Sequence, residues 1–147
     1  MVFKVTELTP TAIRKQLSAL NFHADKIKII TVSAMDEEAL TNCTSKENES
    51  FYNSYMNVIY RRGERYVLGY RCADPLLEHA IIKKGDLYFD PTRQANGEFI
   101  PYKFAVLTEF KIFDMMKHAK TNKDFPPDVD YLLTKEKHFK NIINSEK

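Results

Sequence analysis

What this sequence of 147 residues lacks removes several classes of function at once. It has only two cysteines, too few for the disulfide framework of a small secreted domain. Its N-terminus, MVFKVTELTPTAIRKQ, has none of the charged-then-apolar order of a signal peptide. Both observations imply a reducing, cytoplasmic home. Long apolar runs are missing too, since Leu76-Leu77 and Ile81-Ile82 are soon interrupted by charge, which excludes a membrane span. Neither sign of charge dominates, 22 basic residues standing against 20 acidic for a net +2. That balance gives no footprint for nucleic acid or for an anionic membrane. With no repeat, low-complexity tract or flexible linker, residues 1–147 read as one domain.

What is present belongs to an ordinary globular protein. Hydrophobic residues make up 44% and charged residues 29%, and a chain of this length buries enough apolar surface to fold without staples. The ten Phe and eight Tyr fall at alternating and helical spacings, which assigns them to packing before base stacking.

Thr9-Pro10 opens a capped first helix with Ile13, Leu17 and Leu20 on one stripe. Lys26 to Val32 alternates as a short strand. Cys43 to Arg62 reads as the clearest helix, because Tyr52, Tyr55, Met56 and Ile59 recur every three or four residues and Gly63 stops it. Thr44 and Glu47 stand in capping-box order at its start. Tyr66, Leu68 and Tyr70 then alternate as a half-buried strand. After the Ala73-Asp74-Pro75 turn, Leu76 to Lys83 and Asp86 to Asp90 form two strands joined at Lys84-Gly85. A mixed stretch around Phe99 to Phe104 leads into a helix from about Ala105 to Lys120, and Phe125-Pro126-Pro127 breaks the chain before a polar, helical tail at about 125–147. The fold class is therefore α+β, with N-terminal helices packed on an antiparallel sheet and helices at the C-terminus.

Three residues stand out chemically. A symmetric hairpin about Lys84-Gly85 sets His79 directly opposite Asp90, within hydrogen-bond reach across the strands. A carboxylate there fixes the imidazole tautomer, as the third member of a nucleophilic triad does. Cys43, at the mouth of the expected helix, has the setting that lowers a thiol pKa and favours the reactive thiolate. Asn42, Gln94 and the Cys43 backbone N–H are candidate oxyanion donors. Cys72 reads as core or surface filler, while His23, His118 and His138 sit in polar surroundings without ligand spacing, so neither metal nor cofactor is expected.

Cysteine at the start of a helix, then Glu78-His79-Ala80-Ile81, Gly85 and Tyr88-Phe89-Asp90-Pro91-Thr92, resembles the core of the papain-like and transglutaminase-like thiol enzymes over about residues 41–92. The resemblance implies Cys43 as nucleophile, His79 as general base and acid, and Asp90 as orienter. It implies a thioester intermediate and a protein or peptide-like substrate undergoing amide hydrolysis, deamidation or transamidation. The sequence departs from the family at Thr44 and Ile81, where many relatives carry aromatic residues, and it has no Trp. The alternative is a non-catalytic protein-binding module, an inhibitor or adaptor with a relic triad on the same fold.

Overall fold

The computed structural model describes residues 8–97, 99–121, 126–130 and 142, leaving aside the side chains of 118–121. The fold is α+β. The elements run α1 (Pro10–Ala19), a 3-10 turn (Ala24–Lys26), β1 (Lys28–Val32), α2 (Glu37–Thr41), α3 (Ser50–Ile59), β2 (Arg65–Arg71), β3 (Leu77–Lys84), β4 (Leu87–Phe89), α4 (Pro91–Ala95), β5 (Tyr102–Lys111) and α5 (Ile112–Thr121). The five strands form one antiparallel sheet in the order β1-β5-β2-β3-β4.

The sheet does not lie flat. Ser33, just past β1, makes a parallel bridge to Phe89 of β4 and donates its N–H to the Tyr88 carbonyl at 2.8 Å. The two edge strands thus meet and the sheet curls towards a small barrel, the way an antiparallel sheet removes exposed edges. Side chains then divide by the pleat. Val32, Val67, Ile81, Tyr88, Phe104 and Val106 fill the inside. Tyr66, Leu68, Tyr70, Ala80, Ile82, Ala105 and Leu107 point outward, where Ile13 and Leu17 of α1, Val58 of α3 and Met115 of α5 cover them.

Several expected elements hold and others shift. α1 begins where its cap places it, the Thr9 hydroxyl accepting from Ala12 N at 3.1 Å, although Leu20 leaves the stripe and is exposed. The β3–β4 turn moves one residue on, to Gly85-Asp86, with Lys84 opposite Leu87. Gly85 adopts φ 60° there, a left-handed conformation that glycine takes without a Cβ penalty. The expected helix from Ala105 is a strand as far as Lys111, and α5 starts only at Ile112. Phe104, Ala105, Val106 and Leu107 are all buried because β5 lies between β1 and β2 and is covered on both faces, which erases alternation from its sequence. The expected helical tail at 125–147, with His138, lies mostly outside the described residues, as does the side chain of His118.

The largest correction concerns the helix expected from Cys43. Residues 37–41 form α2, Cys43 lies in the turn after it, and α3 starts only at Ser50. Thr44 and Glu47 make no capping box. Two asparagines one helical turn apart hold the intervening segment instead. Asn57 accepts from Thr44 N at 2.7 Å and donates to Thr44 O at 3.0 Å. Asn53 accepts from Lys46 N at 2.9 Å and donates to Lys46 O at 2.8 Å. Each amide mimics a peptide group, so that segment keeps paired backbone without secondary structure.

One mouth of the barrel closes on a charge network. Glu109 pairs with Lys28 at 3.6 Å, Arg65 at 3.4 Å and Lys83 at 3.6 Å, and accepts from the Tyr88 hydroxyl. Burial raises the Glu109 pKa, but the Tyr88 hydrogen bond and the three cations outweigh it and leave the carboxyl below its ordinary value. A depressed carboxyl stabilises the fold above its unfolded pKa of about 4.3 and loses that contribution as pH falls through the folded value. Glu109→Gln should therefore cost about 1–2 kcal/mol at pH 7. Denaturant titrations at stepped pH should show the gap from wild type closing in acid; a gap that stays constant would remove the charge network as its cause.

Candidate functional site

The other mouth carries the histidine and aspartate singled out in the sequence. Asp90 follows β4 and caps α4, its Oδ1 accepting from Arg93 N at 3.1 Å. Its Oδ2 meets His79 Nε2 at 2.7 Å and also accepts from the Tyr102 hydroxyl. The side chain is wholly buried. The reason for the contact differs from the expected one. Carried past Phe89, the observed register sets Asp90 opposite Ile81, so His79 is its diagonal neighbour. A shift of two residues keeps both side chains on one face, which is why the pairing survives the moved turn.

The electrostatics fix protonation states. Burial alone would push the Asp90 pKa up; the hydrogen bond and charge of His79, then the bonds from Tyr102 and Arg93 N–H, bring it below the ordinary value. Tyr102 goes strongly the other way, through burial and the adjacent Asp90 charge, and stays a protonated donor. An ionised Asp90 has only acceptors to offer, so His79 Nε2 must carry a hydrogen, and whenever the ring holds a single proton its lone pair is on Nδ1. The ring also meets Phe104 edge-on, centroids 6.4 Å apart. Gly69 lies opposite His79 on β2, and a Cβ there would sit 1.9 Å from Ala105 O and 2.9 Å from Phe104 Cε1. Only glycine allows β5 this close to the strand that backs the histidine.

Cys43 is not brought to this pair. It packs with the outer core cluster, on the side of the sheet opposite to His79. Its sulfur contacts Met35 Sδ at 3.7 Å, and among the described residues no hydrogen bond joins it to the histidine. Burial raises its thiol pKa, only partly opposed by Arg62 and Lys84. That is the reverse of the lowering expected from a helix N-terminus, which this residue does not occupy. Of the oxyanion candidates, Asn42 caps the end of α2, and Gln94 uses its amide on both backbone groups of Met35. Cys72 is buried, which selects core from the two readings its sequence left open.

Sequence reasoning missed four participants: Ser50, Asn53, Thr92 and Tyr102. β4 covers β3 only from Ile82 to Lys84, and the first turn of α3 comes up to the uncovered edge. There the buried Ser50 hydroxyl accepts from Ala80 N at 3.4 Å. That nitrogen is about 2.4 Å from the His79 Cα by covalent geometry, so the hydroxyl oxygen is held within about 6 Å of the histidine backbone. Asn53 Nδ2 ties the same turn to Thr92 Oγ1 at 2.8 Å. One signal was available: Ser50, Asn53, Ser54 and Asn57 form a polar stripe at helical spacing, and such residues have no reason to recur inside a helix unless their side chains are used.

The tautomer is open to measurement. Long-range nitrogen–proton NMR should find His79 as the Nε2–H form, and Asp90→Asn should mix the two tautomers; an Nδ1–H ring in the wild type would contradict the assignment. No protein-family model, curated protein or solved structure matches this chain, so the case for a function rests on this geometry.

Proposed function

We propose that the protein is an acyl-group enzyme in which His79 handles the proton and Asp90 orients it, the reading implied by the resemblance to papain-like and transglutaminase-like enzymes. The observation that carries it is the buried 2.7 Å contact between His79 Nε2 and Asp90, which leaves Nδ1 as the basic atom. The nucleophile in this proposal is Ser50. Its hydroxyl, at the first turn of α3, is bonded to the β3 backbone at the residue after His79, while burial raises the Cys43 thiol pKa.

The chemistry follows from these roles. His79 Nδ1 takes the Ser50 proton as the oxygen adds to a carbonyl carbon, and Asp90 stabilises the imidazolium that results. Collapse expels the leaving group, which receives that proton, and leaves an ester on Ser50. Water or an amine then resolves it by the same proton route.

A second reading, the non-catalytic binding module, is favoured by the engagement of the Cys43 thiol with Met35. Under it the His79–Asp90 bond only holds the barrel mouth.

Hydrolysis of an activated acetate ester separates the two. With acyl chemistry at this site, His79→Ala should lower the rate by about 10²-fold or more. Ser50→Ala should abolish formation of a covalent acetyl adduct visible by mass spectrometry, and Cys43→Ala should change neither readout. Equal rates in wild type and folded His79→Ala would leave the binding module standing, and an adduct lost only in Cys43→Ala would return the nucleophile to the cysteine.

A further inference from the structure

The two mouths of the barrel differ in one respect that the proposed acyl chemistry does not use. At the first, Glu109 answers three cations, each within 4 Å. At the second, Arg71 at the end of β2 and Arg93 of α4 flank the Tyr102 ring, their guanidinium carbons 5.5 and 5.6 Å from its centroid. Among the described residues neither has a carboxylate at ion-pair distance. We propose that Arg71 and Arg93, gathered around Tyr102, form a binding site for an oxyanion group, a carboxylate or phosphate, carried by a small ligand.

Three observations converge on it. First, Arg71 Nε is buried and has no hydrogen-bond partner among the described residues. A buried charged donor without an acceptor is costly, and an incoming oxyanion removes that cost. Second, two like charges are held near one another; burial and then Arg93 weaken the hold of Arg71 on its proton by more than Tyr102 and Asp90 strengthen it. Third, the neighbouring negative charge is already committed. Asp90 directs its oxygens to His79, Tyr102 and Arg93 N–H, and Tyr102 remains neutral. The ring is therefore a fixed platform on which both guanidiniums rest through cation–π contact. Their planar forks match the paired oxygens of a carboxylate or phosphate in a way that ammonium groups do not. The site adjoins Asp90 but requires no catalysis, so it stands apart from the acyl reading.

The test titrates the full chain with inorganic phosphate and, separately, with acetate at constant ionic strength, following the arginine Nε–H NMR resonances. Saturable shifts of Arg71 and Arg93 are expected, and the anion that binds more tightly identifies the ligand class. Arg93→Gln and Arg71→Gln should each weaken binding roughly 10-fold or more, Arg93→Lys should retain only part of the affinity, and Ser50→Ala should leave it unchanged. Because Arg93 is exposed, its variants decide the matter even if Arg71→Gln does not fold. Shifts that grow linearly without saturating, or equal affinity in wild type and Arg93→Gln, would overturn the proposal.

Discussion

Closure of the sheet is the constraint on which the rest depends. Once the Ser33 amide reaches Tyr88 across the open side, the two edges of the sheet meet and the inner residues pack mainly on one another. Five strands enclose a narrow interior, so bulky side chains such as Ile81 and Phe104 occupy its middle and anything polar is forced towards the mouths. A buried polar group that reaches neither water nor a partner is destabilising by several kcal/mol. This explains why the groups found there, Glu109 at one end and Asp90 at the other, accept bonds from several donors at once.

The same constraint explains what could be read from the sequence. Tyr66, Leu68 and Tyr70 mark β2 as a strand by their spacing, but the half-buried reading does not hold, since Tyr66 to Tyr70 are all buried; only the small Gly69 and the flanking arginines keep the alternation visible. His79 and Asp90 were legible for a related reason: parity along a strand is robust to a hairpin slip of two residues, even though the turn itself was misplaced. β5 was not legible. Its two faces are equally buried, so Phe104 to Leu107 reads as an uninterrupted apolar run that fits a helix as well as a strand. The Cys43 helix failed differently. The aromatic spacing in α3 is real, but the stripe turned fully inward is Ser50, Asn53, Ser54, Asn57 and Val58. A hydrophobic-period argument assigns those polar residues to solvent, because it cannot register that the backbone of residues 44 and 46 partners Asn57 and Asn53 and that of Ala80 partners Ser50.

That polar stripe also links fold to site. Asn53 and Asn57 secure the segment after Cys43, and Asn53 additionally bonds Thr92, immediately after Asp90 and Pro91. α3, the preceding loop and α4 are therefore joined through buried amides rather than through apolar contact alone. Apolar packing is non-directional and tolerates sliding, whereas an amide bonded at both ends sets one position. The position of α3 relative to Asp90 is thus fixed by hydrogen-bond geometry, and with it the Ser50 hydroxyl beside β3.

The arrangement around Asp90 can then be weighed against a purely structural role. A structural histidine could be satisfied by any backbone carbonyl; here it is held by a carboxylate, itself held by a tyrosine and a helix-capping bond, with two arginines nearby. Removing that much charge from water is unfavourable unless every member is matched. Among the described residues, however, the match is incomplete: Arg71 Nε is buried without a partner, and the two guanidiniums have no ion pair. Glu109 shows that the opposite mouth gives each of its three cations a carboxylate contact. The unsatisfied valences are concentrated at the mouth that also holds the ordered imidazole, and that asymmetry is what a stability-only account leaves unexplained.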